Sequence, residues 1–85
     1  MLKGYNSDIQ IGIEQYHIQT EDWGQKNPFL VSRIFKNGAV LRSVKTPYAE
    51  VLPEGTFLTE RVIGIAMKVQ HDSILDLLVS GKVFS

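Results

Sequence analysis

The sequence of 85 residues contains no cysteine. This absence excludes disulfide cross-links, thiolate zinc sites and cysteine nucleophiles, and it favours a cytoplasmic protein. The chain also lacks any apolar run approaching the roughly 20 residues that span a bilayer. Its opening segment, MLKGYNSDIQ, lacks the apolar core of a signal peptide. We therefore expect a cytoplasmic protein that does not associate with membranes.

A net charge of one sign is missing as well, because nine Lys and Arg residues balance nine Asp and Glu residues. No global field therefore attracts nucleic acid or a membrane surface. The charges are nevertheless segregated: residues 7–22 carry acids and no Lys or Arg, whereas residues 23–49 carry bases and no acid. We expect these two segments to pair in one sheet and to neutralise each other locally.

The first part of the chain predicts a β-hairpin. The 44% share of hydrophobic residues is that of a globular chain, and we expect residues 1–85 to form a single domain with residues 1–7 as a candidate for disorder. The stretch DIQIGIEQYHIQT alternates apolar and polar residues, and its phase shifts near Gly12, which favours a turn between two short strands. One face of the first strand carries Ile9, Ile11 and Ile13. The second strand offers Tyr16, Ile18 and Thr20.

A second hairpin is predicted by Asn37-Gly38, which lies between two β-rich runs. Both residues tolerate positive φ, as a two-residue type I′ turn requires. This turn fixes a regular register in which Phe35 faces Val40 and Arg33 faces Arg42. The same register pairs Lys36 with Ala39, Ile34 with Leu41, Ser32 with Ser43, and Val31 with Val44.

The last part of the chain predicts two helices. TPYAEVLP suggests a short helical turn, with Thr46 as its cap, Pro47 at its first position and Pro53 after its end. A long helix should begin near Thr59 and stop at Gly81. The expected fold class is therefore α+β: a four-stranded antiparallel sheet of two hairpins, with a short helix and one long C-terminal helix packed on one face.

The long helix raises the question of why Gln70 and His71 interrupt an apolar stretch. At 100° per residue the predicted buried stripe contains Ile63, Ala66, Met67, Ile74, Leu77 and Leu78. Gln70 falls at its centre and His71 at its edge. We expect Gln70 to be buried and bonded to the main chain between Val51 and Leu58, because a buried amide needs partners. Contact with a ligand is the alternative for both residues.

The predicted hairpin of residues 29–45 suggests a partner-binding surface. One long helix can cover only one face of the sheet, and the side carrying Ile34 and Leu41 suits it best. The other face would then present an exposed apolar surface, which is typical of an interface. Its predicted residues are Val31, Arg33, Phe35, Val40, Arg42 and Val44. We therefore expect a small non-enzymatic interaction module that forms a homodimer or docks a protein partner.

Other functions have weaker support in the sequence. A nucleic-acid or anion-binding sheet is the main alternative, and it would use the stacking rings Phe29 and Phe35 with a set of bases. Those bases are Lys26, Arg33, Lys36, Arg42 and Lys45. The neutral total charge makes nucleic acid the less favoured partner. Trp23 in the turn-rich loop is a further candidate for ligand contact, although folding back over the sheet is the simpler interpretation.

Catalytic and metal-binding functions have the least support. A small hydrolase or a metal site would have to use His17 or His71, the two histidines of the chain. No residue spacing predicts a metal site, and no phosphate-binding loop or nucleophile–base pair is apparent. We therefore predict that the protein is not an enzyme and that it has no catalytic residues, binds no metal and uses no cofactor.

Two long stretches carry a resemblance. YHIQTEDWGQKNPFLVSRIFKNGAVLRSVKTPYAEVL, followed by MKVQHDSILDLLVSGKV, resembles a group of small uncharacterised bacterial proteins. These share a YH-x-Q-T-E-D-x-G-x-x-N-P block, a glycine-containing hairpin, a T-x-Y segment and a QH helix that ends in glycine. The resemblance implies no activity, so it transfers no catalytic or binding role to any residue.

Overall fold

The computed structural model describes residues 4–81 and has the predicted α+β architecture. Four antiparallel strands follow one another in the sheet in chain order. The strands are β1 (Tyr5–Ile11), β2 (Glu14–Asp22), β3 (Phe29–Lys36) and β4 (Ala39–Pro47), and the helices are α1 (Tyr48–Val51) and α2 (Glu60–Val79). The long helix α2 packs mainly on β2, with β1 and β3 on either side. We call this side of the sheet the covered face and the other side the open face.

The first hairpin turns at Gly12 and Ile13, between β1 and β2. Gly12 has φ of 64°, which glycine adopts without steric cost. Two expectations need correction here. Ile13 lies at the tip of the turn and is fully exposed, so it does not share a strand face with Ile9 and Ile11. Tyr5, Asn6 and Ser7 pair with β2 as the start of β1, whereas residues 1–3 of the segment expected to be disordered lie outside the described residues.

The second hairpin confirms the predicted turn but not the whole predicted register. Asn37 and Gly38 both have positive φ, of 51° and 86°, as a type I′ turn requires. Phe35 pairs with Val40 as expected, but the register shifts directly after this pair. Leu41 has no partner on β3, and this extra residue forms a β-bulge.

The bulge changes every later pair between β3 and β4. Arg33 lies opposite Ser43, so the predicted pairing of Arg33 with Arg42 is wrong. Ser32 lies opposite Val44 instead of Ser43, and Val44 therefore joins Ser32 on the covered face. There Val44 packs against the core, because a one-residue shift reverses the side on which a strand residue points.

The short helix α1 is anchored by its first residue. Pro47, rather than Thr46, is the N-cap, and its side chain forms no capping hydrogen bond, so the predicted cap is wrong. Tyr48 is buried against the core, its amide donates to the Pro28 carbonyl at 2.9 Å, and its hydroxyl donates to Asp22. Burial, followed by that hydrogen bond, raises the pKa of the Tyr48 phenol far above its usual range.

The long helix confirms the predicted ends. The Thr59 hydroxyl accepts from the Val62 amide at 3.1 Å, and Gly81 follows the C-cap with φ of 77°. The prediction that Leu77 belongs to the buried stripe is wrong, because its side chain is 42% exposed. His71, which we placed at the edge, is buried instead. The buried positions of α2 are Ile63, Ala66, Met67, His71, Ile74 and Leu78.

Candidate functional site

The predicted partner-binding surface is not assembled on the open face. Val31 is only 3% exposed, and Val44 lies on the covered face, so neither residue can contribute to it. Lys45, the cross-strand neighbour of Val31, extends its ammonium group to 4.9 Å from the Trp23 ring and 4.2 Å from the Phe29 ring. These cation–π contacts hold a long side chain across the open face. Phe35 is half-buried, and Val40 is the one clearly exposed apolar residue of the predicted set.

Basic residues of β3 are paired with acidic residues of β2, Arg33 on the open face and Lys36 on the side of the covered face. Arg33 donates to Glu21 at 3.1 Å, and Lys36 lies 3.8 Å from Glu14. Both pairs join β2 to β3, which confirms that the acidic and basic segments meet in one sheet. Trp23 also donates its indole N–H to Glu21, at 2.9 Å, so it folds back over the sheet. This arrangement reduces the charge available to the predicted nucleic-acid surface.

A buried polar chain of five side chains crosses the interface between α2 and the sheet. It runs in the order Ser7, His71, Thr20, Ser32 and Gln70. The His71 ring lies between the Ser7 and Thr20 hydroxyl groups, with 2.8 Å to each. The Thr20 and Ser32 hydroxyl groups are 2.6 Å apart, and the Gln70 amide nitrogen is 2.9 Å from the Ser32 hydroxyl. Three strands thereby share polar contacts with one helix.

The direction of the hydrogen bonds along this chain follows from Gln70. Its Nε2 donates to Ser32 and, at 3.5 Å, towards the Leu30 carbonyl, which fixes the orientation of the amide. Ser32 then accepts from Gln70, and within residues 4–81 its hydroxyl proton is directed to its other side-chain contact, Thr20. Thr20 in turn donates to His71 Nδ1. His71 therefore carries its proton on Nε2 and donates it to Ser7.

This proton arrangement bears on chemistry at Ser7. A histidine base activates a serine by accepting the hydroxyl proton, but here the facing nitrogen of His71 is already a donor. Burial lowers the pKa of His71, with the Asp72 carboxylate opposing the shift and Lys68 adding to it. The ring is therefore neutral and structural in this arrangement, which gives no support to a hydrolase centred on His71.

The roles expected for Gln70 and His71 are reversed. Gln70 is half-buried rather than inaccessible, and its partners lie on β3, not in the segment from Val51 to Leu58 as predicted. His71 is 3% exposed and occupies the central position. The Gln70 Oε1 atom is buried and has no hydrogen-bond donor among residues 4–81. The sequence signal that could have located this chain is the pair Thr20 and Ser32, polar residues in the buried register of adjacent strands.

An apolar groove lies beside α2, where the helix leaves β4 uncovered. The groove has a volume of about 440 Å³. Its β4 and α1 side is formed by Thr46, Val51 and Leu52. Its α2 side is formed by Val62, Ile65, Ala66, Val69, Gln70 and Ser73.

The α2 side of the groove is an apolar surface that the chain itself does not cover. Ile65 and Val69 are more than half exposed, and Leu77 continues the same side of the helix by two further turns. We call Val62, Ile65, Val69 and Ser73 the α2 flank. This surface was not predicted from the sequence, although apolar residues at 62, 65 and 69 follow the i, i+3, i+7 pattern of a second helix face.

The described part of the chain offers little to a metal or a membrane. Within residues 4–81 no group of three or more His, Asp or Glu side chains is arranged to hold a metal ion. His17 pairs with Asp8 at 2.8 Å on β1 and β2, whereas His71 belongs to the buried polar chain. No helix within the same residues has the length and apolarity needed to cross a bilayer.

Comparison with known proteins adds no relative. The chain matches no protein-family model, no curated protein and no solved structure. Function must therefore be inferred from the groove, the buried polar chain and the open face of the sheet.

Proposed function

We propose that this chain is a small non-enzymatic interaction module that self-associates through the apolar groove beside α2. The observation that carries the proposal is the α2 flank, with Ile65 and Val69 more than half exposed next to an uncovered strand. A helix of a small protein normally presents polar residues outside its core stripe. A contiguous apolar surface on such a helix is typical of an interface.

The other surfaces support this choice by contrast. On the open face, Val31 is buried and Arg33 already lies against Glu21. In the buried polar chain, His71 donates to Ser7 instead of activating it. The groove, by contrast, is lined mainly by apolar side chains, and apolar contact with protein is what these residues can provide.

The proposal is tested by the oligomeric state at several concentrations. We expect sedimentation equilibrium of the wild-type chain between about 1 and 100 μM to show a monomer–dimer equilibrium. Val69→Lys should give a monomer, because a charge in a desolvated interface has no partner. Val79→Lys is the matched control: Val79 is 65% exposed against 62% for Val69, but it lies outside the groove.

Two results would contradict the proposal. One is a wild-type chain that remains monomeric at 100 μM. The other is a dimer whose dissociation constant changes equally in the Val69→Lys and Val79→Lys variants, because a groove interface must distinguish the two positions. Circular dichroism of both variants checks that each keeps the helix content of the wild type.

A further inference from the structure

We infer that the occupant of the α2 flank is α2 of a second copy, which lies antiparallel to the first helix about a two-fold axis at Val69. This inference rests on the proposed function and adds the partner element, its direction and its register. A two-fold contact uses the same patch on both subunits, so the patch must be complementary to itself. The α2 flank can be tested for that property residue by residue.

Side-chain size is complementary in the antiparallel arrangement. With the axis at Val69, residues whose numbers sum to about 138 face each other, as the regular rise of a helix requires. Ile65 of one copy then lies against Ser73 of the other, so a large side chain meets a small one at two symmetric positions. A parallel arrangement would place Ile65 against Ile65 and Ser73 against Ser73, which crowds one level and leaves a gap at the other.

Charge is complementary in the same arrangement. Arg61 lies near the start of α2 at the border of the flank, and Asp76 lies near the end of α2 on the line of Ile65 and Val69. Both are exposed, and Asp76 would lie against Val62 of the other copy, one position from Arg61. Antiparallel pairing brings Arg61 of one copy beside Asp76 of the other, at both ends of the contact. A parallel arrangement would place Arg61 beside Arg61 and Asp76 beside Asp76, and these like charges would repel each other. The helix dipoles also oppose each other favourably only when the two helices are antiparallel.

A different dimer is available to this fold and must be distinguished. β4 is an edge strand, so two copies could extend the sheet by pairing β4 with β4. Strands in a sheet are about 4.8 Å apart. Two helices that each lie above β2 would then be about 24 Å apart, far beyond the roughly 8–10 Å of packed helices. Edge pairing would therefore leave the α2 flank uncovered.

The test uses single-cysteine variants, which the cysteine-free chain allows without background. Residue 69 should lie next to its symmetry mate, so Val69→Cys should form an intermolecular disulfide under mild oxidation. Residue 73 should be about 12 Å from its mate along the helix axis, beyond the roughly 7 Å that a disulfide spans between Cα atoms. Ser73→Cys should therefore resist cross-linking alone, but a mixture of Ile65→Cys and Ser73→Cys should form a heterodimer.

Ser43→Cys, in the middle of β4, reports on the competing edge-paired dimer. We expect less than a tenth of the cross-linking seen for Val69→Cys when the two are oxidised in parallel at equal concentration. Sedimentation of each reduced variant gives the amount of dimer present before oxidation. The Ile65→Cys and Ser73→Cys mixture is a second route to the same answer, in case the substitution at Val69 weakens association.

The outcomes separate the inference from the proposed function. A solution dimer in which Ser73→Cys or Ser43→Cys cross-links with itself faster than Val69→Cys would overturn the antiparallel arrangement and leave self-association in place. A wild-type chain that stays monomeric would overturn both. Selective cross-linking of Val69→Cys, together with the 65–73 heterodimer, supports the axis at Val69.

Discussion

His71 Nδ1 lies 2.8 Å from the Thr20 hydroxyl, and this contact joins the centre of α2 to the centre of the sheet. The strand that carries Thr20 is the one on which α2 mainly packs. A neutral imidazole therefore sits where an aliphatic side chain would be expected, and each of its nitrogens has a hydroxyl partner. Four of the following expectations depend on this contact or on the helix that carries it.

The first prediction concerns pH. The ordinary pKa of the imidazole is 6.5, and burial lowers the pKa of His71 in the folded state. The unfolded chain then binds more protons just below pH 6.5, so the free energy of unfolding rises with pH there. The stability due to neutral His71 is fully present above about pH 6.5 and is lost as the pH falls towards the lowered pKa.

Urea denaturation at several pH values, combined with an NMR titration of His71, measures this effect. The groups that face the ring or act on its charge are Tyr5, Lys68, Asp72 and His17. His17→Gln should keep the direction of the pH dependence due to His71, because burial is the largest cause of its lowered pKa and the charge of His17 is the smallest. A titration of His71 with a pKa above 6.5 would contradict the prediction.

The second prediction concerns Thr20. Thr20→Val keeps the shape of the side chain but removes the hydroxyl group that links His71 to Ser32. Two buried polar groups are then left unpaired, which should reduce the free energy of unfolding by about 2–4 kcal/mol. Thr20→Ser should recover part of this loss. Ser43→Ala on the exposed strand β4 is the control and should change stability by less than about 0.5 kcal/mol.

The third prediction tests the direction of the polar chain. In the wild type, ¹⁵N chemical shifts should show His71 protonated on Nε2. Gln70→Glu replaces the donor to Ser32 with an ionised acceptor, so Ser32 would donate to Glu, Thr20 to Ser32, and His71 Nδ1 to Thr20. The tautomer should therefore switch to Nδ1–H, and the pKa of His71 should be higher than in the wild type. An Nδ1–H tautomer in the wild type would refute the assigned direction.

The fourth prediction concerns the rim of the proposed dimer. Arg61→Asp should weaken self-association several-fold, because it places like charges at both ends of the antiparallel contact. The double variant Arg61→Asp with Asp76→Arg should restore the wild-type dissociation constant, since the pair is only reversed. Lys26→Asp, a charge reversal at an exposed residue of the loop between β2 and β3, is the matched control and should change association less. Sedimentation equilibrium at low ionic strength, where screening is weakest, measures all three.

The sequence predicted those parts of the fold that local chemistry determines. Asn37-Gly38 specifies its own turn through backbone sterics, and Thr59 caps α2 with its own hydroxyl group. The bulge at Leu41 was not predictable from the same signals. It is stabilised by the burial of Val44 on the covered face, and that gain depends on where α2 lies.

Gln70 was expected to be buried and His71 to lie at the edge of the stripe, but the structure reverses their burial, and the cause is similar. From the middle of the buried positions that the structure shows in α2, Gln70 lies about 45° to one side and His71 about 55° to the other. The predicted stripe included Leu77 and left out His71, so its middle lay nearer to Gln70. Their burial is decided by what lies opposite: hydroxyl groups of β1 and β2 surround His71, whereas the groove opens beside Gln70. The spacing of apolar residues along a helix does not show how far the sheet extends beneath either side of it. The position of β4 relative to α2 was therefore needed to find the candidate site.

The bulge at Leu41 has a consequence for how this chain can change in length. Removing Leu41 would restore regular pairing with β3 and would leave each residue from Arg42 to Thr46 opposite its present partner. Val44 would stay in the core and Lys45 would stay on the open face, because the side on which each residue points does not change. A deletion of codon 41 should therefore be better tolerated than a deletion of codon 45, which would shift Thr46 and Pro47 by one residue relative to β3 and reverse the sides on which they point.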